Sequence, residues 1–256
     1  MLLAFGPYYW EFPANESPFG YALDRFKTQS ARSRQRSVSL FEHAGTAPHE
    51  PAVPEASFDG EAIALKTPSW TAHVTRTDAQ VHWTTPNSPN YQLGLGLVTS
   101  LGMAWTLLDG GFLLHASAVE IFPEKGWLFS GQSGVGKSTL ADSLSPVVRV
   151  LTDDQAVVVP EDNRWFVGSS MARFDVQGPV EGAAFLERGT STRATPLNSK
   201  MGFQRLTRNA ILWPGDAPLR SLVLSNLHAF AKSASFCSLE VSLDDLTLPK
   251  LQEILP

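Results

Sequence analysis

The string Gly131-Gln132-Ser133-Gly134-Val135-Gly136-Lys137-Ser138 constrains this chain more than any other part of its sequence. It satisfies G-x-x-x-x-G-K-[ST], and each fixed position has a physical task. Glycines permit backbone angles that turn successive amide N–H groups inward, which forms a nest for an anion. An apolar run, Trp127-Leu-Phe-Ser130, stands directly before the string, and a helix-compatible segment, Lys137 to Leu144, follows it. A helix that begins there aims the positive end of its dipole at the same anion. By composition alone such a string arises in roughly one chain of this length in a hundred, so the strand–loop–helix context is what makes it specific. The context predicts an α/β fold with phosphates bound at the end of a strand.

The remaining positions of the loop point to a nucleoside triphosphate complexed with Mg²⁺. Lys137 is placed to reach the β- and γ-phosphates as a mobile point charge. Ser138 offers a hydroxyl to the metal, and Thr139 shares its helical turn. Phosphoryl transfer to a hydroxyl further requires a carboxylate for the metal and a base for the proton. Val147–Leu151 reads as a strand running into Thr152-Asp153-Asp154. If that strand lies beside the one feeding the loop, both acids face the metal and the γ-phosphate; otherwise they form an Asp-Asp turn. His115 sits in the strand-like Leu113–Val119, one hairpin upstream. It is either a satisfied core histidine or a group within reach of the γ-phosphate.

A transition state with charge spread over the γ-oxygens calls for a further cation. Arg173, Arg188, Arg193, Lys200 and Arg205 are candidates. Arg188 and Arg193 rank first, because they flank Gly189 in a polar stretch, Gly189 to Thr195, able to close over the site as a lid.

Residues 1–90 differ from the rest and read as a small β-rich N-terminal region. A basic patch (Arg25, Lys27, Arg32, Arg34, Arg36) there is expected to be a solvated face or, alternatively, a dock for an acidic acceptor. A Pro/Ala/Glu run from Gly45 to Ala56 reads as a loop, and short strands are expected at Ile63–Lys66, Trp70–Thr75 and Ala79–Trp83. Asn87–Asn90 marks the boundary to a domain spanning 91–256. That domain is expected to open with a helix, Leu93–Leu108, stopped by Gly110–Gly111. Strands follow at Phe112–Ile121, Trp127–Ser130, Ala156–Val159, Gly182–Glu187 and Phe236–Val241, with helices at Ser199–Leu212 and Leu246–Ile254. A net charge of −5 argues against nucleic acid or anionic lipid as partner. The single cysteine, Cys237, excludes an internal disulfide and an all-cysteine metal cage. Neither a secretory signal nor a membrane-length apolar run is evident, so a cytoplasmic location is expected.

Three motifs together resemble the HPr kinase/phosphorylase superfamily. They are Leu114-His115-Ala-Ser-Ala118 on the strand before the hairpin, the loop in the form G-x-S-G-x-G-K-S, and Leu151-Thr-Asp153-Asp154. The likeness covers residues 91–160 well and extends loosely through Phe185-Leu-Glu-Arg-Gly189 and Thr195-Pro-Leu-Asn198, as in short HPr-kinase-related proteins. It implies a central sheet flanked by helices and ATP with Mg²⁺ as ligands. Gly131 to Thr139 would hold the phosphates, and Ser138 with Asp154 the metal. Asp153 would act as base toward a serine of a protein or peptide, with His115 tuning its charge; the two acids could exchange roles. A homo-oligomer, ring-shaped in that superfamily, is also implied. The Glu-Arg-Gly-Leu-Gly signature of the bifunctional enzymes is replaced by Met171-Ala-Arg173-Phe-Asp-Val-Gln-Gly178. The resemblance therefore supports neither phosphate removal nor HPr as substrate; a natural-product precursor peptide is another acceptor seen among short relatives. Two competing functions fit the same loop: a small-molecule or carboxykinase-like phosphotransferase, and a nucleotide-binding regulator without catalysis.

Overall fold

A computed structural model describes residues 2–5, 8–11, 34–44, 52–85, 91–170 and 176–256. The architecture is mixed α/β, with two sheets and, among the described residues, five α-helices. The chain divides into two compact units. One comprises Met1–Gly110, Met171–Arg173 and Leu212–Val223; the other comprises Gly111–Ser170, Phe174–Ile211 and Leu224–Pro256.

The first unit contains β1 (Leu2–Phe5), β2 (Tyr8–Glu11), β3 (Arg34–Ala44), β4 (Glu55–Phe58), β5 (Ile63–Lys66), β6 (Trp70–Val74), β7 (Asp78–Thr85) and helix α1 (Tyr91–Leu108). Its sheet runs β1-β2-β3-β7-β6-β5-β4. Alternation decides which side chains face inward: Ile63 and Leu65 of β5 and Trp70, Ala72 and Val74 of β6 are buried, while their neighbours are exposed. The three glycines of α1 do not break it. At Gly102 a Cβ would stand 2.2 Å from the Phe5 ring, so the missing side chain is what lets that ring close on the helix. Gly110, at φ 85°, ends the helix as the paired glycines predict. No helix among the described residues is long and apolar enough to cross a membrane.

The basic patch takes a form the sequence did not suggest. Arg34 and Arg36 are neither a solvated face nor a free dock. Both donate to Asp109 Oδ2, at 2.6 and 2.5 Å, and the three side chains are 17, 12 and 11% exposed. The two guanidinium groups lie 5.9 and 5.2 Å from the centre of the Tyr8 ring. Arg25, Lys27 and Arg32 fall outside the described residues, as do the proposed boundary at Asn87–Asn90 and residues 45–51 of the expected loop. The last two residues of that loop, Glu55 and Ala56, belong to β4 instead.

The second unit contains β8 (Phe112–Phe122), β9 (Lys125–Ser130), α2 (Lys137–Leu144), β10 (Val150–Thr152), β11 (Gln155–Glu161), β12 (Arg164–Ser169), β13 (Gln177–Arg188), β14 (Arg193–Leu197), α3 (Ser199–Asn209), β15 (Ser235–Val241) and α5 (Leu248–Ile254). Helix α4 (Ala217–Ser233) lies before β15 in the chain, and its residues from Leu224 onward belong here. The sheet order is β10-β8-β11-β12-β13-β15-β14, with β9 paired to both β8 and β13. Strand β9 is parallel to β13, and β13 to β15. Buried after its first residue, β9 reads as a continuous apolar run, as a strand covered on both faces should. Trp127 and Phe129 of β9 pack with Leu140 and Leu144 of α2 and Leu251 of α5, which fixes the helix directly behind the loop.

Several elements differ from expectation. The strand expected at Val147–Leu151 shrinks to Val150–Thr152, because the amides of Val147 and Val148 both donate to Leu144 O and prolong the turn out of α2. β12, β14 and α4 were not anticipated from the sequence.

Candidate functional site

The loop leaves the carboxyl end of β9 and enters α2 at Gly136, the N-cap. Gly134 (φ 76°) and Gly136 (φ 110°) occupy the left-handed region that side-chain-bearing residues avoid. Those two glycines give the loop the curvature the sequence reading required. Gln132, Ser133 and Gly134 are exposed, as are Ser138 and Thr139 at the start of α2, so the groups that would meet phosphates face solvent. Lys137 bends back over the loop, its Nζ donating to Gly131 O at 3.0 Å and Gln132 O at 3.2 Å. Among the described residues no carboxylate pairs with that ammonium, which leaves its charge available to an anion.

The condition left open by the sequence, a strand beside β9 leading to the acid pair, is not met: β8 lies between β9 and β10. One edge of β8 pairs with β9 and the other with β10 and then β11. Ala116 marks the common level: it is the register partner of Ser130 on one edge, and on the other its N–H donates to Asp154 O. Two inter-strand spacings, about 10 Å, therefore separate the base of the loop from Asp153 and Asp154. The first turn of α2 closes much of that gap. Ser117 Oγ donates to Lys137 O at 3.1 Å, and Ser138 Oγ reaches Asp153 O at 3.4 Å.

His115 is not a core histidine. It is the exposed residue in the otherwise buried first half of β8, with 53% of its side chain accessible. Residues two apart share a strand face, so His115 lies on the side of Ser117 and hence of α2. Its Nδ1 is 4.0 Å from Asp154 Oδ1, so its contact is with the second acid and not with Asp153. Asp154 is 65% exposed, and Asp153 is partly buried.

The arginine candidates separate. Arg188, at the end of β13, donates to Gly134 O at 2.8 Å and stands against the loop. Arg193 is directed to Glu240, at 2.7 Å, and that hydrogen bond holds its guanidinium above the usual arginine range. It does not line the cleft beside the loop. The stretch expected to act as a lid is tied down: Thr192 is buried, its N–H donates to Asp245 at 3.0 Å, and Arg193–Leu197 form β14 against β15. Lys200 is exposed on α3, and Arg173 falls outside the described residues.

On the β13 side the loop borders a cleft of about 720 Å³. Its walls are Gly131–Val135, Phe185–Arg188 at the end of β13, and Arg205, Arg208 and Asn209 of α3. Arg205 is braced by Glu187 Oε1 at 2.7 Å and Ser238 Oγ at 3.2 Å. The Ser238 hydroxyl and the Arg205 guanidinium together hold the Glu187 carboxyl below its usual range. Arg208, Asn209 and Ser117 were missed in the sequence. Ser117 was within reach of a period-two argument from His115, but nothing near Arg208 or Asn209 signals a phosphate loop some seventy residues earlier.

The donor set suits Mg²⁺ better than a protein-caged metal. Among the described residues no group of three or more His, Cys, Asp or Glu side chains converges on one point. Magnesium typically takes one or two carboxylates and completes its octahedron with phosphate oxygens and water. Ser138, whose Oγ lies 3.4 Å from Asp153 O, and the carboxylate of the next residue, Asp154, are the groups that could supply those protein ligands.

No family model matches this chain, and no curated protein does. Among solved structures, the Hpr(Ser) kinase/phosphatase from Coxiella burnetii is similar at 16% identity, over 46% of this chain and 94% of that one, with a TM-score of 0.25. A likeness of that size does not place the chain in the family.

Proposed function

We propose that this protein is a P-loop kinase of the HPr-kinase-like type, which transfers the γ-phosphoryl group of ATP to a serine hydroxyl of a protein or peptide. The observation that carries the reading is the common level of the loop and the acid pair on β8, with Ser138 of α2 reaching between them. Lys137 and the loop amides from Gly131 to Gly136 bind and orient the triphosphate. Ser138 and Asp154 hold Mg²⁺, which when bound neutralises charge on the β- and γ-phosphates. Asp153 takes the proton from the serine hydroxyl as its oxygen bonds to the γ-phosphorus. The bond from that phosphorus to the β–γ bridging oxygen breaks, and ADP leaves. His115 steadies the Asp154 carboxylate from 4.0 Å, a role beside the metal-side acid in place of the base. Arg188 fixes the outer turn of the loop through Gly134 O.

The test is transfer of label from γ-labelled ATP, with Mg²⁺, to acceptors in a lysate of the source organism, beside Lys137→Ala and Asp153→Asn. A discrete labelled protein or peptide lost in both variants supports the reading. Label on a metabolite alone would move the activity to a small-molecule phosphotransferase. Nucleotide binding without transfer to anything, equal in wild type and Asp153→Asn, would make the protein a regulator.

A further inference from the structure

The phosphate loop has different neighbours on its two sides. β8 pairs with one edge of β9 and has Asp153 and Asp154 beyond it, whereas β13 pairs with the other edge. A nucleotide bound for phosphoryl transfer points its γ-phosphate at the acids and carries its nucleoside at the far end of the triphosphate. Metal, base and attacking hydroxyl fill the first side, so the nucleoside leaves the loop in another direction.

The β13 side offers it a built cavity. The cleft of about 720 Å³ begins at the loop itself, with Gly131–Val135 as one wall, and has the size of a ligand pocket. Arg205 belongs to another wall, its guanidinium 5.7 Å from the Phe185 ring centre and tied to Glu187 and Ser238. The cleft thus holds a flat group fixed before any ligand arrives. Asn209 donates through Nδ2 to Arg205 O at 2.8 Å, which leaves its Oδ1 to accept. Arg208 is exposed at the end of α3, and among the described residues no carboxylate pairs with it. A guanidinium stacks on aromatic faces and donates from its edge, and a carboxamide oxygen accepts from a base amino group or a ribose hydroxyl. Resting on the kinase reading above, we infer that this cleft seats the nucleoside of the bound nucleotide, with Arg208 against the base. The nest then attracts any triphosphate, and the cleft is what tells a nucleotide from bare polyphosphate.

Inorganic tripolyphosphate and a non-hydrolysable ATP analogue are the probes. Each is titrated by calorimetry into the full chain with Mg²⁺, for wild type and Arg208→Gln. Wild type should bind the analogue at least about tenfold more tightly than tripolyphosphate. Arg208→Gln should lose about threefold to tenfold in analogue affinity, with tripolyphosphate affinity unchanged. Equal binding of the two probes by wild type would empty the cleft of nucleoside and leave the phosphate loop standing. Analogue affinity untouched by Arg208→Gln would put the base elsewhere, and the same loss for both probes would give Arg208 to the phosphates. Either result overturns the inference. Binding of neither probe would bring down the kinase reading, and the role of the cleft with it.

Discussion

Asp109 and Asp154 are the same residue in opposite surroundings. Asp109, in the first unit, is 11% exposed and accepts from two arginines that are themselves mostly buried. Asp154, in the second, is 65% exposed and has a histidine 4.0 Å away. A carboxylate enclosed by fixed cations contributes to structure: removing it strands charges away from water. One left open to solvent beside the glycine loop has no enclosed partner to strand, and under the proposed function it is the carboxylate that takes the metal. The same contrast separates the cations, since Arg34 and Arg36 share the Asp109 carboxylate whereas Lys137, among the described residues, is held by carbonyl oxygens.

That contrast is open to test by substitution, and the largest effect belongs to the chemical side. Lys137→Ala should lower phosphoryl transfer by about 10²-fold or more while leaving thermal unfolding close to wild type, measured by labelled transfer and calorimetry. A large loss of stability instead would make Lys137 structural and erase the distinction. Asp109→Ala should behave oppositely. It should cost about 3 kcal/mol of stability in denaturant unfolding, because Arg34 and Arg36 lose their partner, with nucleotide affinity retained.

Much of the site was legible because its signals are local. The loop string, its preceding strand and the bounds of α2 follow from residues within about one turn of each other, and period-two alternation recovers β5 and β6. What escaped depends on distant partners. Arg34 and Arg36 look like a solvated patch until Asp109, more than seventy residues later, closes on them. β14, with Pro196 inside it, is a strand only because β15 supplies the pairing. α4 is a different kind of miss. Leu219, Val223, Leu227 and Phe230 are buried at helical spacing and Asp216 caps the first turn, so the signal was present but obscured by Pro214 and Pro218. The placement of the acids one strand away from β9 could not be read at all, since pairing order is a tertiary property.

Two smaller effects sharpen the picture. Gly136→Ala should cost about 1 to 2 kcal/mol, since φ 110° at the N-cap is strained for any residue with a Cβ even though the space there is open. It should weaken nucleotide binding with it, as read by thermal unfolding with and without ATP. Glu187 tests the cleft wall through pH. Its folded carboxyl lies below the usual range, so its stabilising contribution is present above that range and is lost as pH falls through the lowered value. Glu187→Gln should therefore be slightly less stable than wild type near neutrality. The difference should shrink as pH falls below about 4.5, which makes acid unfolding less steep in the variant.

Nucleotide binding is decided by calorimetric titration of the full chain with a non-hydrolysable ATP analogue, with and without Mg²⁺. Wild type, Lys137→Ala and Asp154→Asn would be compared. Wild type should bind, and more tightly with Mg²⁺; Lys137→Ala should lose most of the affinity, and Asp154→Asn the Mg²⁺ enhancement alone. Absence of binding by wild type, or indifference to both substitutions, would contradict the proposed function.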